Sequence, residues 1–316
     1  MFEKITRKIE ENDVIVIFGH LNPDGDCYGS QVALRAILKK QYPSKSIYAV
    51  GSGFPAFFPI LGNMDNVSLE TIKNSLAIIL DSNDLKRVED ARVFEACDYA
   101  KIDHHIDLHT YHEGVEVVDD HATSTSELIF KFAKENNFEI PLLAAEALYL
   151  GLFTDTARFQ YADDYIQMFD IAKELISLGV VPTKITAILN TTNEYSLKIR
   201  AFIYRHYKKD KAGILYVYAT KEERNRLNLT TAQIVSNTGL ISHVKKYPVW
   251  LIAAETDEGG IQVEMRSNLI DVQEIAASFG GGGHIYAAGF TTKENAKETF
   301  NELLDKIKHS LKEKRG

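Results

Sequence analysis

One imidazole and two carboxylates lie close together near the start of the chain, at His20, Asp24 and Asp26. Imidazole nitrogens and carboxylate oxygens are ligands that suit divalent ions such as Mn²⁺. The three residues follow an apolar run at residues 14–18, which predicts a buried strand, and precede a predicted helix at residues 31–40. Because open α/β sheets bind ligands at the carboxyl ends of their strands, this loop is a candidate metal site. A solvated polar turn is the alternative for this segment taken alone.

The same pattern recurs further along the chain, each time where an apolar segment ends. Acidic residues and histidines end two more predicted strands and a predicted buried helix: Asp81, then Asp103, His104 and His105, and finally Asp155. Neighbouring parallel strands end at the same edge of a sheet, so we expect these groups to converge. One acidic residue at the end of an element is usually a cap, whereas four convergent clusters indicate a functional site.

The order of the predicted elements indicates an α/β protein with two domains. At 316 residues the chain is longer than one core usually supports. Strands and helices alternate over residues 1–180, which predicts a parallel sheet covered on both faces. Residues 181–205 are predicted to form a helical linker or hinge. Residues 206–316 show a different pattern of predicted strands and helices, which predicts a second, smaller α/β domain. A cleft is expected between the two domains.

Four consecutive glycines, at residues 280–283, form the clearest feature of the second half. Such a run loses much backbone entropy on folding, so it is expected where φ is positive or where a ligand approaches closely. Its N–H groups can form an anion-binding nest, and His284 directly follows it. Arg266, at the end of the preceding predicted strand, can donate to a phosphate. A floppy loop is the alternative, and the two flanking donors favour the nest.

Composition excludes several classes of protein. The apolar fraction of 45% and the charged fraction of 25% are ordinary for a globular protein. A net charge of −8 argues against a protein that coats long duplex DNA, but leaves room for a short anionic substrate. Because no apolar run could span a bilayer and the amphipathic N-terminus is unlike a signal peptide, we expect a cytoplasmic protein without a membrane partner. Two cysteines form no disulfide framework, and Cys27 is expected to be a small buried side chain rather than a ligand.

These motifs together resemble those of the DHH phosphoesterases that carry a DHHA1 domain, over essentially the whole chain. Four segments resemble the motifs of the first domain: His20 to Asp26, Asp81, Asp103 to His105, and Asp155. Two segments resemble the DHHA1 signature: Arg266-Ser267, and Phe279 to His284. Ala157 stands where many members of this family have glycine, which a helical residue would tolerate.

The resemblance implies a pair of metal ions, Mn²⁺ with Mg²⁺ as the alternative. It assigns one ion to His20, Asp24 and Asp81, and the other to Asp26, Asp81, His104 and Asp155, so that Asp81 bridges them. Asp81, His104, His105 and Asp103 are the expected catalytic group. Because successive strand residues point to opposite sides, His105 is expected to contact the phosphate or to orient a ligand rather than to bind the same metal as His104. Asp103 is expected to accept a hydrogen bond from a metal-ligating residue without binding the metal itself. Expected substrate-binding residues are Arg266, Ser267, Gly281, Gly282, Gly283 and His284, with Arg158 as a weaker candidate.

Within this family the chain is most similar to the short two-domain bacterial enzymes called nano-RNases. That resemblance implies hydrolysis of short oligoribonucleotides, including dinucleotides such as pApA, to mononucleotides. It also implies hydrolysis of 3′-phosphoadenosine 5′-phosphate (pAp) to AMP, by a homodimer. A phosphodiesterase for cyclic or linear signalling dinucleotides is the nearer alternative, because the motifs do not separate these substrates. A non-catalytic nucleotide-binding protein is the more distant one.

Overall fold

The computed structural model describes residues 1–82, 84–105 and 114–315. The chain forms two compact units, Met1–Thr191 and Thr192–Gly316. Each unit contains its own sheet with helices packed against it, so the predicted α/β class is confirmed. The boundary between the units falls within residues 181–205, and a hinge there stays a prediction.

The first unit is built on a five-stranded sheet in which all neighbouring strands are parallel. Its strands are β1 (Val14–Phe18), β2 (Ser46–Ala49), β3 (Leu76–Leu80), β4 (Asp98–Asp103) and β5 (Val115–Val118). They lie in the order β2-β1-β3-β4-β5. The register sets Phe18 beside Ile79 and Leu80 beside Ile102, so the three central strands end at nearly the same level. The segments that follow these strands therefore meet, as the sequence predicts.

Helices cover both faces of this sheet. They are α1 (Glu3–Glu11), α2 (Gly25–Gln41), α3 (Phe58–Leu61), α4 (Leu69–Lys73), α5 (Thr125–Glu135), α6 (Leu142–Asp155), α7 (Tyr165–Ser177) and α8 (Pro182–Asn190). Ile15 and Ile17 of β1 face the larger core beneath α2, α5 and α6, whereas Val16 and Phe18 face a smaller core on the side of α4. Alternate residues of one strand are thus buried on opposite faces, which explains its unbroken apolar run.

Helix α2 begins at Gly25, six residues earlier than the sequence predicts. The reason is the side chain of Asp24, which caps the helix by accepting hydrogen bonds from the N–H groups of Asp26 and Cys27. Close packing against α6 then fixes the position of this first turn. A Cβ on Gly29 would collide with the backbone of α6, and a Cβ on Gly151 would collide with the side chain at the start of α5.

The second unit has a six-stranded mixed sheet, of which the sequence predicted only the central strands. Its strands are β6 (Lys208–Lys209), β7 (Ile214–Ala219), β8 (Val249–Glu255), β9 (Ile261–Ser267), β10 (Gly282–His284) and β11 (Ala287–Thr292). The order is β10-β11-β9-β8-β7-β6, with β7 and β8 parallel and the other pairs antiparallel. Its helices are α9 (Glu194–His206), α10 (Lys221–Arg226), α11 (Thr231–Val235), α12 (Gln273–Ala277) and α13 (Ala296–Arg315).

The two faces of the second sheet are covered to different extents. Helices α12 and α13 pack on one face along its whole width, against residues such as Leu251 and Met265. On the other face the apolar cluster draws its sheet residues from β7 and β8 alone, among them Leu215 and Trp250. Over β9 this face is polar and half-buried, as at Arg266, and over β10 it is exposed. Among the described residues, no helix combines the length and apolar character needed to cross a bilayer.

Candidate metal centre

Asp81 lies at the centre of the candidate site, directly after β3. Its φ of +58° is in the left-handed region, and its side chain is 2% exposed. The hydroxyl of Thr125 donates to its Oδ1 at 3.1 Å. The two carboxylate oxygens face different imidazoles, because Oδ2 lies 3.5 Å from Nε2 of His20 and Oδ1 lies 3.5 Å from Nε2 of His104. A carboxylate in this position can offer one oxygen to each of two neighbouring cations.

The two imidazoles share a hydrogen-bonding pattern that fixes their tautomers. Nδ1 of His20 lies 3.0 Å from the carbonyl oxygen of Leu21, and Nδ1 of His104 lies 3.2 Å from that of Ala122. A carbonyl oxygen only accepts, so Nδ1 carries the hydrogen and a neutral ring turns the lone pair of Nε2 towards the carboxylates. Lone pairs and carboxylate oxygens repel each other unless a cation or a proton lies between them. The donor set therefore fits a metal ion, since ligating histidines commonly donate their other N–H to a carbonyl.

Asp26 and Asp155 complete the surroundings of His104. Asp26, in the first turn of α2, is 1% exposed and accepts hydrogen bonds from the N–H groups of Thr125 at 2.7 Å and Ser126 at 2.9 Å. These groups form the N-terminus of α5, where the helix dipole favours a negative charge. Nε2 of His104 lies 4.0 Å from Oδ2 of Asp26 and 3.4 Å from Oδ2 of Asp155, the last residue of α6. Two helix ends thus bring two carboxylates to the imidazole that follows β4.

Negative charge is concentrated at this site. Among the described residues, Asp26, Asp81 and Asp155 form ion pairs only with histidines. Burial and then the charges of its neighbours raise the pKa of Asp26, and burial raises the pKa of Asp155 to about 6. Burial lowers the pKa of His20, but hydrogen bonds to Asp24 and Asp81 outweigh it and hold this pKa above its ordinary value. The site therefore favours bound protons or cations, which is the electrostatic condition of a metal centre.

Asp24 and Cys27 flank His20 in different ways. Oδ1 of Asp24, besides capping α2, lies 3.8 Å from Nε2 of His20, and the side chain is 60% exposed. Sγ of Cys27 accepts a hydrogen bond from the backbone N–H of His20, at 3.2 Å. Burial raises the pKa of this thiol to about 11, so it stays protonated at neutral pH. Cys27 thus positions the backbone of His20, and its neutral sulfur is a poor ligand.

The expected orientation of the two successive histidines was wrong. The rings of His104 and His105 lie on the same side, with centroids 4.5 Å apart, and Nδ1 of His105 is 3.5 Å from Oδ1 of Asp81. The alternation of a strand does not apply, because β4 ends at Asp103. Nδ1 of His105 donates to Oδ1 of Asp103 at 2.8 Å, a hydrogen bond that raises the pKa of His105. The hydrogen on Nδ1 leaves Nε2 of His105 as the nitrogen that can contact a substrate.

Among the described residues, three overlapping groups of potential ligand atoms have all their atoms within 4.8 Å of one another. They are His20, Cys27 and Asp81; Asp81, His104 and His105; and Asp26, His104 and Asp155. Asp24 lies beside the first group. Such a cluster of carboxylates and imidazoles, with Asp26 and Asp81 buried, suits metal-assisted hydrolysis of a phosphate ester.

Comparison with known proteins identifies the family. Residues 14–152 match the DHH family, N-terminal domain, and residues 211–313 match the DHHA1 domain. A bifunctional oligoribonuclease and PAP phosphatase of Mycoplasma genitalium is 32% identical over 307 residues, which are 95% of this chain and 95% of that protein. The chain belongs to the DHH family. A Bacillus subtilis protein with the same description is 30% identical over 292 residues, 92% of each chain.

A solved structure shares the whole two-domain fold. It is an exopolyphosphatase-related protein from Bacteroides fragilis, 26% identical, with a TM-score of 0.86 over 98% of this chain and 97% of that chain. The predicted family, and the order of a DHH domain followed by a DHHA1 domain, are therefore confirmed.

The turn that follows α6 has a left-handed backbone. Ala157, Arg158 and Phe159 have φ values of +47°, +67° and +63°, all in the left-handed region. Ala157 is therefore not helical in the ordinary sense, so the condition under which alanine would be tolerated there is not met, and a glycine would avoid the strain. The turn is fixed by the N–H of Phe159, which donates to the hydroxyl of Thr156, and it leaves Arg158 exposed.

Two predicted substrate-binding residues of the DHHA1 domain share a face of its sheet. Arg266 on β9 pairs with Ala287 on β11, which pairs with His284 on β10. Directly paired residues point to the same side, so the side chains of Arg266 and His284 project from one face. Nη1 of Arg266 donates to Oε2 of Glu264 at 2.9 Å, which holds the guanidinium along its strand. Ser267 is 4% exposed, and its hydroxyl accepts hydrogen bonds from two N–H groups of the following loop.

The glycine run does not form the nest that the sequence predicts. Gly280 has a φ of +77°, and the N–H groups of Gly280 and Gly281 donate to carbonyls of α12 at 2.9 Å each. These two glycines end the helix in a Schellman motif, so their N–H groups are not available to an anion. Gly281 also lies too close to β11 for a Cβ. Gly282 and Gly283 belong to β10, and their contact with substrate stays a prediction.

The groups that hydrogen-bond to the candidate metal ligands were not identified from the sequence. They are the hydroxyl of Thr125, the carbonyl of Ala122 and the first N–H groups of α5. The only signal was the polar run at residues 120–125, which predicts helix caps. Their contacts depend on how α5 packs beside α2, which local sequence does not determine.

Proposed function

We propose that this DHH protein hydrolyses short oligoribonucleotides to mononucleotides and converts pAp to AMP. The observation that carries the proposal is the buried Asp81 between His20 and His104, with Asp26 and Asp155 beside the latter. Such a cluster suits a pair of divalent ions and the attack of water on a phosphate ester. The descriptions of the relatives that match nearly the whole chain support the substrate class.

We infer that the resident ions are Mn²⁺, with Mg²⁺ as the alternative. His20, Asp24 and Asp81 would hold one ion, and Asp26, Asp81, His104 and Asp155 would hold the other. Oxygen ligands combined with imidazoles, and a protonated Cys27, favour Mn²⁺ over softer metals. When bound, the ions would lower the pKa of a water molecule and neutralise charge on the phosphate.

The remaining residues are assigned to binding and orienting the phosphate. Nε2 of His105 donates a hydrogen bond to the substrate, while Asp103 holds the ring through Nδ1. Arg266 and His284 are proposed to bind a terminal phosphate, since both project from the polar face of the DHHA1 sheet. Arg158 is a weaker candidate, supported by its exposure three residues after Asp155 in the chain. Ser267, Gly281, Gly282 and Gly283 are proposed to shape this binding surface.

Hydrolysis by metal-stripped protein with Mn²⁺ or Mg²⁺ restored tests the substrate class. The substrates are a linear diribonucleotide, a longer RNA, pAp, a cyclic dinucleotide and pyrophosphate. Fast turnover of the diribonucleotide and pAp with Mn²⁺ supports the proposal. Preference for the cyclic substrate would replace it with turnover of signalling dinucleotides, and no turnover of any substrate would favour a binding protein.

Substitution of the ligands tests the metal assignment. Asp81→Asn and His104→Ala should each lower kcat for pAp by roughly 100-fold or more, because the site loses a ligand. Asp13→Asn is the matched control, since that carboxylate is 99% exposed. Near-normal rates in either ligand variant would contradict the assignment.

A further inference from the structure

The DHHA1 domain contains an aromatic pocket that the proposed hydrolysis does not use. The pocket has a volume of about 270 Å³ and lies between the end of α9, β7 and the loop after α11. Three tyrosines, four aliphatic side chains and Lys209 line it, the tyrosines being Tyr204, Tyr207 and Tyr247. Tyr204 is 53% exposed and Tyr207 is 43% exposed. Aromatic rings that stay open to solvent around an apolar floor are suited to stack on a planar ligand.

The polar groups of the pocket are free to bind that ligand. Within the described part of the chain, the hydroxyls of Tyr204, Tyr207 and Tyr247 make no hydrogen bond, whereas those of Tyr28, Tyr165, Tyr195 and Tyr218 do. Nζ of Lys209 lies 6.0 Å from the centroid of the Tyr207 ring and forms no ion pair with a described residue. The pocket thus offers ring faces, donors and one cation.

Positive charge surrounds this pocket on a chain whose net charge is −8. Three further exposed cations adjoin its lining residues in the chain: Arg205, Lys245 and Lys246. None of the three forms an ion pair with a described residue, and no acidic residue lines the pocket. The nearest acidic residue in the chain, Asp210, faces Lys308 of α13 at 3.6 Å. Unpaired cations beside exposed aromatic rings are characteristic of surfaces that bind single-stranded nucleic acid.

The register of the sheet connects the pocket with the proposed phosphate-binding residues. One row of directly paired residues crosses all six strands: Lys209, Leu215, Trp250, Arg266, Ala287 and His284. All six side chains therefore point to the same face. Leu215 at the pocket floor is two strands from Arg266, a span of about 10 Å. Between them the ring of His243 packs on that of Trp250, with centroids 5.5 Å apart.

We propose that this tyrosine pocket holds a nucleobase of an oligoribonucleotide whose phosphate end is bound at Arg266 and His284. The ring faces stack on the base, and Lys209 with its neighbouring cations binds the adjoining phosphates. The inference rests on the proposed function and deepens it, because the pocket would strengthen binding of substrates longer than a dinucleotide. A short molecule such as pAp would not reach both ends of the row.

The test compares the length dependence of KM in pocket variants. Tyr204→Ala combined with Tyr247→Ala, and separately Lys209→Gln, should raise KM for a pentaribonucleotide at least 5-fold more than KM for pAp. Phe94→Ala and Lys312→Gln are the controls, being exposed aromatic and cationic residues away from the pocket. Tyr204→Phe with Tyr247→Phe should keep most of the pentaribonucleotide affinity, since the ring faces remain.

Three outcomes separate the inference from the function on which it rests. If wild-type protein hydrolyses none of the substrates, the proposed function fails. If it hydrolyses pAp but the pocket variants alter both KM values equally or not at all, the pocket inference alone is overturned. A change of oligomeric state in the pocket variants without a length effect would also overturn it, because the pocket would then bind a second copy of the chain. Fluorescence anisotropy of a labelled pentaribonucleotide without metal gives the same comparison independent of turnover.

Discussion

The carboxyl of Asp103 is in position to orient His105. It is fully buried at the end of β4, and its Oδ1 accepts from both the backbone N–H and Nδ1 of His105, at 3.2 and 2.8 Å. Its Oδ2 has no hydrogen-bond partner among the described residues. Asp103 therefore fixes both the orientation and the tautomer of the imidazole beside Asp81.

Asp103→Asn tests this positioning role because it keeps the shape and removes the charge. We expect kcat to fall roughly 10- to 100-fold, with a smaller change in KM. This is the usual range for residues that hydrogen-bond to the groups of a metal site. Asp103 raises the pKa of His105, so the variant lowers it, and activity that needs the protonated ring should be lost at a lower pH. The measurement is kcat against pH, with Asp13→Asn as control. An unchanged rate and pH profile would refute the role.

At the scale of elements, the site depends on the close contact of α2 and α6. Gly29 and Gly151 lie at this contact, and a Cβ on Gly151 would come within 2.6 Å of Oδ1 of Asp26 and overlap the side chain of Ser126. The absence of a side chain at Gly151 therefore lets Asp26 lie at the N-terminus of α5. The close packing of the two helices and the position of Asp26 therefore depend on the same glycine.

Gly151→Ala should damage stability and activity together. Overpacking of this kind costs about 1–3 kcal/mol in the free energy of unfolding, and the displaced Asp26 should lower kcat. Urea unfolding and pAp hydrolysis measure the two effects. Gly239→Ala is the matched control, because a Cβ there meets nothing within 4 Å. Equal behaviour of the two variants would show that the contact has room for a methyl group.

The sequence predicts some elements of this site well, for a physical reason. Apolar runs identify β1, β3 and β4, and parallel strands end at one edge of a sheet. The sequence alone therefore predicts that His20, Asp81 and His104 lie close together. The side of His105 was mispredicted because strand alternation was extended past Asp103, where β4 ends. The anion nest at residues 280–283 was mispredicted because a glycine run is equally typical of a helix end and of an anion nest. The row through Arg266 could not be predicted, since register is set by tertiary pairing.

At the scale of the whole molecule, the metal centre couples stability to pH. Burial raises the pKa of Asp155 to about 6, and that of Asp26 is also raised. A carboxyl whose pKa is raised by folding stabilises the folded state while it is protonated, and this stabilisation is lost as pH rises through about 6. A bound cation reverses the effect, because it prefers the ionised carboxylates.

Mn²⁺ should therefore raise Tm more at pH 7.5 than at pH 5. At a concentration 100-fold above Kd, binding adds about 2.7 kcal/mol, which corresponds to roughly 5–10 °C for a unit of this size. Thermal unfolding with Mn²⁺ or with a chelator, at both pH values, measures the difference. His104→Ala should reduce the shift. A Mn²⁺ effect that is equal at both pH values would contradict a site formed by these carboxylates.

An apolar stripe on α7 is exposed at the surface of the first unit. Ile166, Phe169 and Ile176 are 77%, 52% and 45% exposed, and their spacing places them along one side of the helix. Exposed apolar residues that are grouped in this way, rather than scattered, often mark an interface between chains. Because this helix belongs to the first unit, we propose that the homodimer implied by the resemblance forms through this stripe.

Ile166→Glu combined with Phe169→Glu should convert this homodimer into a monomer of 35.6 kDa. Two buried charges without partners cannot be accommodated in an apolar interface, whereas at an exposed surface they are tolerated. Sedimentation velocity at several concentrations measures the mass, and pAp hydrolysis reports whether the centre around Asp81 survives. Phe94→Glu is the control, since Phe94 is 55% exposed outside this stripe. A wild-type protein that stays monomeric at every concentration would exclude the dimer, and a dimeric double variant would place its interface elsewhere.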